Sequence, residues 1–284
     1  MFAPHARRSS AMTGTVPIAR LRGGGRIWAL GAQMGDDAAL EALGQALLRR
    51  WQAGDKLVVL GNMLGPNGDP AHALDGLLLL RRRLLAARAS RACDLVFLRG
   101  AQEEMWHKAL RLQFALTPLE VLDWMLARGL AATIEAYGAS VTEGRIACRN
   151  GPRAIARWTT GLRARLAARA GHADLLNSLL RAALSADGAV LLSAAGADAT
   201  RPLEEQADAF WWSAQSDAAL EAALGDGADA AWRGLARLVR GAGSPAGNGS
   251  DDAFDDGRVL TVTRGGPALV ALAPTGTALE RIEP

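Results

Sequence analysis

The residues able to do chemistry in this chain are few. Its 284 residues hold four histidines, His5, His72, His107 and His172, and two cysteines, Cys93 and Cys148. His5 lies in an aperiodic N-terminal stretch and the others fall inside helical patterns. None has an Asp, Glu or Cys at ligand spacing, so each reads as a surface or packing histidine. No serine has a histidine placed as its base, and there is neither a nucleophile elbow nor a GxxxxGK[ST] phosphate loop. Gly23-Gly24-Gly25 precedes a strand pattern, so it reads as a flexible joint and not as a phosphate cradle at a helix N-terminus. What remains is three glycine-opened segments: Gly31-Ala32-Gln33-Met34-Gly35, Gly61-Asn62-Met63-Leu64-Gly65-Pro66 and Gly100-Ala101-Gln102-Glu103. Glu103 is the one acid among them. Asp36 and Asp37 lie just beyond the first, where they read as helix caps.

Each segment follows a short β-branched run, at 26–31 (RIWALG), 56–61 (KLVVLG) and 94–99 (DLVFLR). Between these strands, residues 36–53 and 71–90 carry leucine and alanine at the spacing of amphipathic helices packed on a sheet. Thr117, Pro118 and Glu120 predict a helix start with a side-chain cap, and Gly129 a stop. Further helices are expected at 151–169 and 172–186. Strand character returns at 189–193, 238–240, 258–263 and 268–273, while 241–257, rich in Gly, Ser, Asn and Asp, reads as a mobile loop. Trp158, Trp211 and Trp212 read as packing residues. Residues 1–25 read as a flexible lead-in and 26–284 as one domain with a helical insertion at about 105–186.

The strand ends resemble those of calcineurin-like metallophosphoesterases of the serine/threonine phosphatase branch. In that family the first strand ends in Gly-Asp-x-His-Gly, the second in Gly-Asp-x-x-Asp-Arg-Gly and the third in Gly-Asn-His-Glu. Here the hydrophobic frame and glycines persist in order while the ligands are replaced. Residues 123–138 (DWMLARGLAATIEAYG) and 196–212 (GADATRPLEEQADAFWW) are similar to two further stretches of bacterial members. The family's histidine falls on Ala194, and a fifth loop, Val239-Arg240-Gly241-Ala242-Gly243, lies where the family has a strand ending in Gly-His. The resemblance spans roughly residues 26–282. It implies an α/β (α+β) fold, a four-layer αββα sandwich of two mixed sheets with the site at the strand ends.

It also implies a chemistry these residues do not supply. Two divalent cations about 3.5–4 Å apart would activate water and clamp a phosphate. At 4 Å they repel by roughly 17 kcal/mol at an effective dielectric of 20, so anionic ligands must offset the repulsion. The bridging aspartate is replaced by neutral Asn62. Ala32 and Met34 replace the ligands of the first metal, and thioether sulfur is too soft for Mn or Mg. Ala101, Ala194 and Ala242 replace ligands of the second. Gln102 stands where a histidine would protonate the leaving group, and an amide does not titrate. Gly65 and Pro66 fall where the second motif ends, with Pro66 in place of the phosphate-gripping arginine. Glu103 is retained as an orienting residue.

The expectation is therefore a pseudophosphatase without metal or other cofactor. It would bind a protein partner at a former active-site cleft lined by Ala32, Met34, Met63, Leu64 and Ala194. Two alternatives stay open: an active phosphoesterase with atypical ligands drawn from Asn62, Glu103 and Asp36 or Asp37, and an unrelated small-molecule-binding α/β protein. Composition narrows the rest. A balance of 50% hydrophobic and 21% charged residues is globular, and no run of about 18 apolar residues predicts a membrane span. The net charge of +3 does not argue for nucleic acid, and Arg81, Arg82, Arg83, Arg88 and Arg91 read as a solvated helix face. Two cysteines without CxxC spacing fit a reducing cytoplasm.

Overall fold

A computed structural model describes residues 18–87, 90–213, 215–225, 232–242, 257–264 and 266–284. In chain order these form β1 (Ala19–Arg20), β2 (Ile27–Leu30), α1 (Asp37–Arg50), β3 (Lys56–Val59), α2 (Pro70–Ala86), β4 (Leu95–Phe97) and α3 (Ala101–Ala109). The helices α4 (Pro118–Leu126), α5 (Leu130–Ala136), α6 (Val141–Arg149), α7 (Pro152–Ala168) and α8 (His172–Asn177) follow. The chain closes with β5 (Ala183–Leu184), β6 (Val190–Ser193), α9 (Ala209–Trp212), α10 (Asp217–Ala223), β7 (Arg237–Arg240), β8 (Val259–Thr261), β9 (Leu269–Leu272) and β10 (Ala278–Ile282).

The described strands make two five-stranded sheets, β10-β9-β2-β3-β4 and β1-β5-β6-β7-β8. Both are mixed: β2, β3 and β4 run parallel, as do β6, β7 and β8, while β9 and β5 join their neighbours β2 and β6 antiparallel. Strand alternation explains the layering. Ile27, Ala29, Val58 and Leu60 of one sheet meet Val190, Leu192 and Val239 of the other. Their neighbours Trp28, Leu30, Leu57 and Val59 face α1 and α2 through Leu43, Leu47, Leu74 and Leu77. On the far side, Leu191 and Leu238 pack under Phe210, Trp211 and Leu220 of α9 and α10. The result is the expected αββα sandwich, and β2, β3, β4, β6 and β9 are buried along their whole length because both of their faces are covered.

Three expectations need correction. The supposed lead-in is partly structural: β1 pairs in parallel with β5, and Leu21 is buried. Residues 1–17 lie outside the described residues. The helix expected over 172–186 stops at Asn177. Leu180 then bridges Leu98, and β5 turns through Asp187-Gly188 into β6; that Asp-Gly pair is a hairpin signal the helical periodicity concealed. Thr117 makes no side-chain cap, although Pro118 does open α4, and Gly129 (φ 94°) precedes α5 after α4 has closed at Ala127. Asp36 caps α1 as expected, accepting from the Ala39 amide at 2.9 Å. Most of the mobile loop expected at 241–257, residues 243–256, lies outside the described residues, as does Arg88.

One buried carboxylate pins the start of the sheet. Asp55 accepts from the Arg26 guanidinium (2.8 Å), the Trp28 indole (2.9 Å) and the Gln52 amide (3.1 Å). Burial pushes its pKa up, but these bonds together outweigh it and hold the carboxyl below the ordinary range. A folded-state pKa below the unfolded one gives stability that is present above about pH 4 and lost as pH falls through the folded value. Asp55→Asn is expected to cost about 3–5 kcal/mol at pH 7. It should also flatten the fall in urea midpoint below about pH 4, measured by denaturation across pH.

Candidate functional site

Five loops from the carboxyl ends of β2, β3, β4, β6 and β7 converge, and glycines allow it. A Cβ on Gly61 would lie 2.6 Å from the Gly100 nitrogen and 3.0 Å from the Ala194 Cβ. A Cβ on Gly241 would lie 2.8 Å from the Leu60 carbonyl oxygen. The β2 and β3 loops are laced together: the Met34 amide donates to the Asn62 carbonyl (2.8 Å), Gly35 to Met63 (3.1 Å) and Asn67 to Met34 (2.7 Å). Met34 and Asn62 both adopt left-handed backbone, at φ 53° and 51°. This is uncommon outside glycine and tolerated better by Asn than by Met. On the other side, Ala242 donates to Ala194 (3.0 Å), Thr263 donates to Gly241 (3.0 Å), and the Thr263 hydroxyl accepts from the Ala32 amide (2.8 Å).

Glu103 stands at the centre. It is 2% exposed, and its carboxylate accepts from the amides of Asn62 (2.8 Å), Leu64 (2.9 Å) and Gly100 (2.8 Å). Burial pushes its pKa above the usual carboxylate range while the three amides pull the other way. Asn62 Oδ1 accepts from the Gln102 amide (3.1 Å), and the Gln102 side chain donates to the Arg128 carbonyl (2.8 Å). Gln33 and Gln102 each bury an Oε1 atom, and Ser193 its hydroxyl, with no partner among the described residues.

The structure thus brings together Ala32, Met34, Asn62, Gly65, Gln102, Glu103, Ala194 and Ala242, with Ala101 opening α3 beside them. Pro66 is exposed, and its ring lies against Gly129, where a Cβ would come within 3.0 Å. Among the described residues the donors of the three glycine-opened segments do not fit a dinuclear cation centre: their one acid, Glu103, is occupied by three amides, and the unpartnered oxygens of Gln33, Gln102 and Ser193 carry no charge to offset two dications. Among the described residues no three His, Cys, Asp or Glu side chains are grouped to hold a metal ion. The ligands of the atypical-site alternative are committed elsewhere, Asp36 to its cap and Asp37 to His72 (3.1 Å) and the Asp69 amide (3.2 Å).

The cleft expected to receive a partner is corrected. Ala32, Met63, Leu64 and Ala194 are 2% exposed or less and Met34 is half-buried, because the β2 and β3 loops interlock through their backbone bonds. Two groupings were missed in sequence. Arg240, 1% exposed, ends β7 by donating to the Thr261 hydroxyl (2.9 Å) and pairing with Asp217, which also binds Arg264 (3.0 Å). His172, fully buried, links the Tyr137 hydroxyl (2.8 Å) to Asp75 (2.9 Å) away from the loops. The alternation of β7 could have flagged Arg240 as inward-facing; nothing in the 97-residue separation of His172 and Asp75 could have paired them.

No protein-family model matches the chain, and no curated protein matches it significantly. Among solved structures it is similar to one described as "Crystal structure of a putative diadenosine tetraphosphatase", with a TM-score of 0.46 and 17% identity, over 94% of this chain and 97% of that one. No described helix is long and apolar enough to cross a membrane.

Replacing Glu103 by alanine strands three buried amides. The expected cost is about 3–5 kcal/mol in chemical denaturation. Glu103→Gln, which keeps one acceptor oxygen, is expected to lose less.

Proposed function

We propose that the chain is a pseudophosphatase. It retains a metallophosphoesterase scaffold, lacks the dinuclear site and acts by binding a protein partner. The observation that carries this reading is the state of Glu103, the one acid of the three glycine-opened segments after β2, β3 and β4, which is buried and bonded to three backbone amides. A carboxylate with three of its about four lone-pair sites taken by amides has little left to offer a cation, and the residues beside it are alanines and amides. Purified protein loaded with excess Mn, Zn or Fe is expected to retain no stoichiometric metal. It is also expected to hydrolyse an aryl phosphate no faster than buffer. Two bound ions per chain with metal-dependent turnover would overturn the proposal.

A specific surface favours the partner role. Beside the β4 loop, Phe114, Leu116 and Trp124 are 79%, 101% and 41% exposed. Phe114 and Val121 line a recess of about 330 Å³ with Arg99, Lys108 and Arg111, in which Glu104 is the one acid. Trp124 continues the surface, with Arg128 stacked over it at 4.2 Å and Trp212 at 5.6 Å. Exposed aromatics rimmed by cations suit a partner segment carrying acidic and large apolar side chains. The double variant Phe114→Ser, Leu116→Ser is expected to leave the thermal midpoint unchanged and weaken capture of that partner at least tenfold. Unchanged capture would remove this surface from the reading.

A further inference from the structure

At the opposite end of the sheet, Lys56 opens β3, and its residue is 1% exposed. Among the described residues its ammonium meets one acceptor, the Gly23 carbonyl at 3.2 Å, and no carboxylate at ion-pair distance. The two nearest acids are already engaged. Asp55 is held by Arg26, Trp28 and Gln52, and Asp94 is gripped by both Nε and Nη2 of Arg22 at 2.8 and 2.7 Å. A buried ammonium is costly unless an opposite charge or a full set of acceptors meets it, and here two of its three N–H bonds have neither. Burial lowers the Lys56 pKa, with Asp94 acting against it.

The same side chain lines a recess of about 200 Å³, together with Arg22, the turn Gly23-Gly24-Gly25, Asp187 and Pro274. The wall is rich in unused donors. Arg22 brings its guanidinium to the wall, held on Asp94 through Nε and Nη2, and the amides of Gly23, Gly24 and Gly25 bond no acceptor among the described residues. The glycine turn, read from sequence as a flexible joint, is held in place: a Cβ on Gly25 would lie 2.2 Å from the Gly54 carbonyl oxygen. Gly24 and Gly25 sit at φ 73° and 64°. One group opposes an anion. The Asp187 carboxylate lies on the rim, turned toward the Ser185 hydroxyl and the Ala189 amide.

We propose that this recess binds a small oxyanion, a carboxylate or phosphate group, which Lys56 neutralises and Arg22 and the glycine amides complete. The buried, under-bonded ammonium supplies the charge, and the rigid turn supplies directed N–H groups as other anion-binding backbone concavities do. The site is independent of the phosphatase-like loops, which lie at the far ends of the same strands.

The test uses the full chain with sodium phosphate and sodium acetate titrated separately against sodium chloride at matched ionic strength. The readouts are the thermal midpoint and isothermal calorimetry. One of the two anions is expected to bind saturably at one site per chain and to raise the midpoint, and the responding arm separates a phosphate from a carboxylate site. Lys56→Met is expected to bind at least tenfold more weakly while leaving the anion-free midpoint equal or higher, since an unmatched buried charge has gone. Asp187→Asn is expected to bind more tightly. Failure of both anions to saturate, or unchanged binding by Lys56→Met, overturns the proposal. Should Lys56→Met not fold, acylation of the Lys56 amine in the wild type decides it. Protection by the binding anion supports the site, and acylation unaffected by anion overturns it.

Discussion

Three amides from two loops meet on one carboxylate, and the arrangement of the strand ends depends on that meeting. Without Glu103 the amides of Asn62, Leu64 and Gly100 would be buried with no acceptor, each a sizeable penalty. With it, the β3 and β4 loops close to backbone contact, which Gly61 and Gly100 permit by lacking side chains. The β2 loop then follows through its own amides onto Asn62 and Met63. A single desolvated charge, compensated by directed N–H groups, positions the loops.

That compensation has a chemical consequence. With three of its about four lone-pair sites filled by amides, the same carboxylate has little left to offer a cation. The side chains around it, Ala32, Met34, Asn62, Gln102, Ala194 and Ala242, bring neither charge nor a titrating group. The strained backbone at Met34 and Asn62 survives because hydrogen bonds on both sides hold it, a feature common where a fold has shaped loops for chemistry. Function, on this reading, moves outward, to exposed aromatics and arginines flanking the loops and to the lysine recess at the other end of the strands.

Much of the fold was legible in sequence. The apolar runs ending in Gly31, Gly61 and at Gly100, and the leucine spacing of α1 and α2, gave strands and helices that the structure reproduces within a few residues. The errors share a cause. The pieces at Ala19–Arg20 and Ala183–Leu184 are two-residue strands, too short for periodicity to register, and they form because the edge of an existing sheet offers them partners. The supposed cleft failed for a related reason: side-chain size and polarity name what lines a loop, but only packing says whether the loop is open.

The sequence by itself determined which side chains at the strand ends can carry charge or titrate, because residue identity fixes charge, titration and ligand softness wherever the residue sits. It also determined the alternation of strands and helices, since period and turn residues act locally, while the layered sandwich came only from the family resemblance. Tertiary structure alone decided that Glu103 faces inward as a clamp, that His172 reaches Asp75 across 97 residues, and that Lys56 is buried beside a glycine turn with too few acceptors. Those outcomes depend on which distant groups share a small volume, and burial and hydrogen-bond supply are properties of that volume and not of the chain order.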